Sequence, residues 1–199
     1  QNCHIVFQNP RMSDEELEKF YTEGHYRRTL NLSDKEIDAG EYSRAQVDAR
    51  IIREYVGKAA SHLDVGSGRG YLLAEIGASF EVGVESLLEV PQVGGIQVYP
   101  KVEEVPLKSF DLVTAIHVLE HVPDPALYLK SLVKLLKPEG YLVIEVPTWK
   151  SPGGPLRLAH LYHFEPDVLR LMCREVGLEV MATHMTPHLM LVCQRSRNS

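Results

Sequence analysis

The chain has 199 residues, the length of one ordinary domain, and a domain of this size can bury a core without disulfides or a structural metal. Its 21 Lys and Arg stand against 27 Asp and Glu, so the net charge is −6 and a protein that follows a nucleic-acid backbone is not expected. With 44 % hydrophobic and 24 % charged residues and only short apolar stretches, neither a disordered chain nor a membrane span is expected.

The N-terminal part, residues 1–57, is predicted to form an arm and a helical extension. Ser13 and Ser43 each begin a capping-box pattern, in which a serine is followed three residues later by Glu or Gln. The first pattern predicts a short helix, and the second predicts a helix that ends at Gly57. A polar connector over residues 26–40 is expected to join the two helices.

From residue 60 onward, short apolar runs alternate with amphipathic helical patterns, which is typical of a parallel sheet with crossover helices. Helices are predicted over residues 71–76, from Pro125 to Leu136, and over a stretch that ends at Gly177. The last two strands are joined by too few residues for a helix, so they should pair as an antiparallel hairpin. The predicted strands cover residues 61–65, 81–85, 96–99, 110–116, 141–146, 178–184 and 189–194.

A glycine-rich turn follows the first of these strands, in the run Asp64-Val65-Gly66-Ser67-Gly68-Arg69-Gly70. Glycines separated by one residue let the backbone turn sharply and approach a ligand, and the helix that follows offers unpaired N–H groups. Gly70 comes one position too early for the fingerprint of dinucleotide-binding proteins. Glu85 ends the next strand about 20 residues after the first glycine, where a carboxylate can accept hydrogen bonds from a ribose diol.

Further motifs follow in order along the chain: Ser109-Phe110-Asp111-Leu112-Val113, then Val118-Leu119-Glu120-His121-Val122-Pro123-Asp124-Pro125, then Leu136-Lys137-Pro138-Glu139-Gly140-Tyr141-Leu142-Val143-Ile144. With the glycine turn and Glu85, they resemble the successive motifs of class I S-adenosylmethionine-dependent methyltransferases of the type 11, 12 and 23 branch. The resemblance implies an α/β, Rossmann-like sheet of seven mostly parallel strands, with an antiparallel last strand and helices on both faces. Residues 58–199 would form this core, and residues 1–57 would cover the substrate side.

The resemblance also implies which residues bind the cofactor. Asp64, Gly66 and Gly68 would surround its methionine part, and Glu85 would bind its ribose hydroxyls. Lys101 aligns with an acid that relatives use near the adenine, so either Glu103 replaces that acid or the backbone and Val102 hold the base. The residues predicted to bind S-adenosylmethionine are Asp64, Gly66, Ser67, Gly68, Gly70, Glu85, Ser86, Val102, Glu103, Ala115 and His117.

The candidate catalytic residues are histidines, since a hydroxyl acceptor benefits from a base that titrates near neutral pH. His117 follows the fourth strand, at the edge where ligands bind in open parallel sheets. His160 and His163 come from residues 147–164, a Pro- and Gly-rich segment predicted to act as a lid. Each could instead anchor a loop, which is the favoured role for His121. His117 and His121 have zinc-like spacing, but the sequence offers no further ligands, so no metal site is predicted.

The predicted function is therefore methyl transfer from S-adenosylmethionine to a small-molecule acceptor, with a hydroxyl as the favoured acceptor group. Two alternatives stay open. The short connection over residues 86–95 allows a non-catalytic, methyltransferase-like subunit, and the glycine turn allows an NAD-dependent oxidoreductase. Cys3, Cys173 and Cys193 are widely spaced and no signal-peptide pattern is present, so a cytoplasmic monomer or homodimer without nucleic-acid or membrane partners is expected.

Overall fold

The structure, a computed structural model, describes residues 5–25, 32–86, 92–106, 109–148, 159–185 and 187–196. Among these residues, no helix combines the length and apolarity needed to cross a membrane. The strands are β1 Val6–Phe7, β2 Ser61–Val65, β3 Phe80–Val84, β4 Gln97–Tyr99, β5 Phe110–Ile116, β6 Leu136–Val146, β7 Tyr162–His163, β8 Leu178–Met185 and β9 Leu189–Arg195. The helices are α1 Asp14–Thr22, α2 Asp34–Val56, α3 Tyr71–Ile76, α4 Pro125–Val133 and α5 Pro166–Glu175.

The chain divides into two compact units, which are described separately. One unit runs over Met12–Pro106, and the other combines Gln1–Arg11 with Leu107–Ser199. The predicted division into an extension over residues 1–57 and a core over residues 58–199 stays a prediction.

The unit over Met12–Pro106 contains three parallel strands in the order β4-β3-β2. All five residues of β2 are buried, as expected for a strand covered on both faces. Helix α2 begins at the N-cap Ser33, whose side chain and backbone form a reciprocal capping box with Glu36. The predicted start at Ser43 is therefore wrong, and residues 34–40 of the predicted connector are helical.

The other unit contains four strands in the order β5-β6-β9-β8. β5 and β6 are parallel, whereas β9 is antiparallel to both β6 and β8. β6 begins at Leu136, five residues before its predicted start, because Leu136 pairs with Phe110 of β5. Leu136 was predicted at the end of a helix, but α4 ends at Val133.

Seven strands of the predicted sheet are thus present, three in one unit and four in the other. The parallel pairs, the antiparallel last strand and the intervening helices confirm the predicted Rossmann-like α/β fold class. Two short strands were not predicted: β1 pairs with β7, so that Val6 lies opposite His163. Cys173 and Cys193 are buried free thiols, whereas Cys3 lies outside the described residues.

Candidate active site

A tight glycine turn joins β2 to α3. Gly66, Gly68 and Gly70 have left-handed φ angles of 73°, 51° and 81°, which glycine adopts without steric cost. The backbone N–H groups of Gly66 and Ser67 both donate to the carbonyl oxygen of Val84, at 2.8 and 3.0 Å. These bonds hold the turn against the end of β3.

Glu85 lies beside this turn, as the sequence predicts. Its Oε2 accepts a hydrogen bond from the Gly68 N–H at 3.0 Å, and its Oε1 lies 3.4 Å from the hydroxyl oxygen of the exposed Ser86. A Cβ on Gly68 would stand at an ordinary van der Waals distance of 3.6 Å from Glu41 Oε2, so the left-handed φ of 51°, and not that carboxylate, favours glycine here. The half-buried carboxylate of Glu85 beside the glycine turn fits a nucleoside ligand with a ribose diol.

Two residues that support the turn were not predicted from the sequence. Asp38 on α2 forms an ion pair with Arg69 at 2.8 Å and accepts a hydrogen bond from the Tyr71 hydroxyl at 2.6 Å. Gln92 donates from Nε2 to the carbonyl oxygen of Gly68 at 2.8 Å. Both residues fix the conformation of the turn through contacts that are distant in sequence.

The remaining predicted cofactor residues lie near the ends of strands. Asp64 and Ser67 are buried, and Ala115 is buried in β5. Val102 is half-buried and Glu103 is exposed, both in a single 3-10 turn between β4 and β5. Their roles toward the cofactor, including the choice between Val102 and Glu103 at the adenine, stay predictions.

His117 stands directly after β5, between two buried carboxylates. Its Nδ1 is 3.2 Å from Glu120 Oε1, and its Nε2 is 3.2 Å from Glu145 Oε1. The His117 side chain is 17 % exposed, whereas those of Glu120 and Glu145 are 0 % and 1 % exposed. His117 also has a φ of 55°, a strained value for a residue with a Cβ, and its N–H donates to the Glu145 carbonyl oxygen at 2.8 Å.

Glu120 is the centre of this cluster of charges. Burial alone would raise its pKa, but the neighbouring His121, His117 and His160 outweigh burial and lower the pKa of Glu120 to about 2. The carboxylate is therefore ionised at neutral pH. It can orient the ring of His117 by accepting a hydrogen bond from Nδ1.

The rings of the other histidines contact one another in succession near Glu120. His121 donates from Nδ1 to the carbonyl oxygen of Ala159 at 2.8 Å, which is the anchoring role predicted for it. Its ring centroid is 5.0 Å from that of His160, which in turn is 5.8 Å from that of His163. His160 and His163 are both buried. Burial lowers the pKa of His163, and the charge of Glu120 only partly offsets that effect. Residues 149–158 of the predicted lid lie outside the described residues.

Among the residues that the structure describes, two groups of side chains bring histidine and carboxylate ligand atoms within 4.8 Å of one another. The first group is His117, Glu145 and His188, and the second is Glu120, His121 and His160. His117 and His121, which the sequence suggested as a pair, belong to different groups. Glu120 is adjacent to His121, but the other additional members, Glu145, His160 and His188, come from distant parts of the chain, so the local spacing did not reveal them.

The turn, its acidic partner and the α/β topology define the fold of class I S-adenosylmethionine-dependent methyltransferases. Comparison with known proteins agrees, because a family model described as "Methyltransferase domain" matches residues 40–183. The chain belongs to this family. It is a methyltransferase whose cofactor is S-adenosylmethionine, and the predicted enzyme class and cofactor are confirmed.

Individual relatives support the same family. The chain is 33 % identical over 163 residues to the ubiquinone biosynthesis O-methyltransferase of Neisseria meningitidis serogroup A, covering 64 % of this chain and 68 % of the relative. The protein of the same name from Bordetella avium is 34 % identical over 149 residues, which is 59 % of this chain and 61 % of that relative.

Solved structures support the fold. The Burkholderia thailandensis 1,6-didemethyltoxoflavin-N1-methyltransferase, solved with S-adenosylhomocysteine, superposes with a TM-score of 0.72 at 20 % identity, covering 96 % of this chain and 95 % of that chain. An S-adenosylmethionine-dependent methyltransferase from Aquifex aeolicus superposes with a TM-score of 0.59 at 17 % identity, covering 76 % and 92 %.

Proposed function

We propose that this methyltransferase transfers the methyl group to a hydroxyl oxygen of a small-molecule acceptor. The observation that carries the proposal is His117, whose side chain, 17 % exposed, is held between the buried Glu120 and Glu145 in a cluster of histidines and glutamates. A hydroxyl becomes a good nucleophile only as its proton leaves, and this cluster can stabilise the positive charge that arrives with the proton. The O-methyltransferase names of the curated relatives support the same chemistry.

S-adenosylmethionine supplies an activated methyl group on its sulfonium sulfur. The chain's own residues bind and orient the reactants, which can contribute about 7–11 kcal/mol to lowering the barrier. We assign cofactor binding to the glycine turn and to Glu85, whose carboxylate accepts from the Gly68 N–H at 3.0 Å. His117 assists the removal of the hydroxyl proton. His160 and His163 stay candidates for the same role, but both are buried and less accessible than His117.

The acceptor is proposed to be a small molecule rather than a nucleic acid, because the net charge of −6 disfavours a polyanion. A precursor in ubiquinone biosynthesis is one candidate, from the relatives' names alone. A cytoplasmic monomer or homodimer remains our proposal, and size-exclusion chromatography with light scattering would determine the oligomeric state.

Cofactor binding is tested with Glu85→Gln. The amide keeps the shape of the side chain but loses the charge that strengthens hydrogen bonds to the ribose hydroxyls. We expect the Kd for S-adenosylhomocysteine, measured by calorimetry, to rise roughly 10- to 150-fold. Glu54→Gln, at an exposed acid of α2, is the matched control, and Glu103→Gln separately tests whether Glu103 binds the adenine. An unchanged Kd in Glu85→Gln would contradict the assignment of the ribose site.

Methyl transfer is tested with labelled S-adenosylmethionine and a panel of phenol, alcohol and amine probes, with products identified by mass spectrometry. We expect O-methylated products, and we expect His117→Asn to lower kcat by about 10²–10⁴-fold while the Kd for S-adenosylhomocysteine hardly changes. His184→Asn, on β8 and outside both histidine groups, is the control. Methylation of amines but not hydroxyls would overturn the proposal, as would full activity of His117→Asn.

A further inference from the structure

We propose that His117, Glu145 and His188 form a binding site for one divalent transition-metal ion such as Zn²⁺. The three residues come from the end of β5, from β6 and from the connection between β8 and β9, and their ligand atoms lie within 4.8 Å of one another. The rings of His117 and His188 meet edge to face, with centroids 4.4 Å apart.

Glu145 is the first argument for a cation at this position. The residue is 1 % exposed, and within the described part of the chain neither of its carboxylate oxygens has the geometry of a hydrogen bond, although Oε1 lies 3.2 Å from His117 Nε2. A buried carboxylate is costly unless a positive charge compensates it. A metal ion bound between Glu145 and the two imidazoles would supply that charge.

The orientation of His117 is the second argument. Its Nδ1 lies 3.2 Å from Glu120 Oε1, and a carboxylate at that distance favours a proton on Nδ1. In the neutral ring, Nε2 then carries the lone pair, and Nε2 is the atom that faces Glu145. A carboxylate that holds the far nitrogen of a ligating histidine is a recurrent feature of zinc sites. Glu120 would therefore be a positioning residue for the metal ligand.

The chemistry of the three side chains selects the type of ion. Two imidazoles and one carboxylate suit zinc and other first-row transition metals, whereas Mg²⁺ and Ca²⁺ prefer oxygen ligands alone. A tetrahedral ion with bonds of about 2.0–2.2 Å needs ligand atoms about 3.3–3.5 Å apart, so only small side-chain movements are required. Three protein ligands leave one position open.

The role of that open position rests on the proposed function. A cation bound there would lower the pKa of an acceptor hydroxyl, which would lose its proton to solvent, so His117 would assist deprotonation as a metal ligand and would not itself take up the proton. The deprotonated acceptor oxygen would then form a bond to the methyl carbon of S-adenosylmethionine. The bond from the sulfonium sulfur to that carbon would break, and the sulfur would keep its electron pair. The metal site itself is independent of this step, because binding of the ion is measured without any methyl transfer.

The experiment uses the full chain, stripped of metal with a chelator and titrated with Co²⁺ in a visible absorption assay, with Zn²⁺ as competitor. We expect one Co²⁺ per chain, displaced by Zn²⁺. Glu145→Gln and His188→Gln should each weaken Co²⁺ binding at least about tenfold, and Glu120→Gln should weaken it by about 10–100-fold. Glu179→Gln and His184→Gln, both on β8, are matched controls and should bind Co²⁺ like the wild type.

Circular dichroism verifies that each variant is folded. If Glu145→Gln does not fold, Co²⁺ binding by His188→Gln decides whether the proposal holds. The proposal is overturned if the wild type binds neither ion. It is also overturned if Glu145→Gln and His188→Gln bind Co²⁺ like the wild type. A wild type that binds Co²⁺ but methylates no hydroxyl would leave the metal site standing and contradict the proposed function.

Discussion

His62 makes the stability of the protein depend on pH. The residue lies in β2, its side chain is 0 % exposed, and burial lowers its pKa from 6.5 to about 3. Because the pKa is lower in the folded state, the unfolded chain binds the proton more strongly. The contribution of His62 to stability is therefore complete above pH 6.5 and is lost as the pH falls from about 6.5 to about 3.

The size of the effect follows from the two pKa values. Between pH 7.5 and pH 5.0, an unfolded pKa of 6.5 and a folded pKa of about 3 correspond to a loss of about 2 kcal/mol in the free energy of unfolding. Neither His62→Gln nor His62→Leu can take up the proton. Both should therefore lose about 2 kcal/mol less than the wild type over the same interval.

Urea denaturation at the two pH values measures the difference. Each replacement also changes packing, but that change is the same at both pH values and cancels in the comparison. Two replacements of different polarity serve as controls for each other. If the wild type and both variants lose the same stability between pH 7.5 and pH 5.0, the assignment of this pH dependence to His62 is refuted.

Two other predictions concern stability at neutral pH and use the same urea assay. Gly140→Ala should destabilise the protein by about 1–3 kcal/mol, because a Cβ there would stand 2.9 Å from the Phe110 carbonyl oxygen. Gly40→Ala should instead stabilise it by about 0.5–1 kcal/mol, because a Cβ at this position in α2 would meet nothing within 4 Å. Equal effects of the two substitutions would contradict the steric argument. Ser33→Ala should lower the free energy of unfolding by about 1 kcal/mol, because it removes the N-cap of α2. If Ser43→Ala caused this loss and Ser33→Ala did not, Ser43 would be the N-cap, as the sequence predicts.

The bounds of several elements could be predicted because their signals are local. The predicted limits of β2 and β5 agree with the structure, since β2 is buried throughout and five of the seven residues of β5 are buried. The start of α2 could not be predicted, because the capping-box pattern occurs at both Ser33 and Ser43 and only tertiary structure selects the first. A helix that starts at Ser43 leaves Asp38 in the predicted connector, so the sequence does not identify Asp38 as a residue that supports the glycine turn.

The sequence revealed the glycine turn and the histidine cluster to different extents. The glycine turn and Glu85 could be predicted because both lie in one short stretch of sequence, which consists of a strand, a turn, a helix and the next strand. The partners of His117 could not, since Glu145 and His188 meet it only through strand pairing. β5 and β6 pair Ile116 with Glu145, and β6 and β9 pair Glu145 with Met190, close to His188.

The position of β9 limits the order in which the chain can assemble. β9 is the last strand among the described residues, yet it lies between β6 and β8, so the facing edges of those two strands stay without their partner until residues 189–195 are available. A nascent chain still held in the ribosome would expose the edge of β6 with its buried residues Leu142 and Ile144. Folding of this unit should therefore complete only after β9 has left the ribosome, and a chain truncated before Leu189 should aggregate rather than form a smaller folded protein.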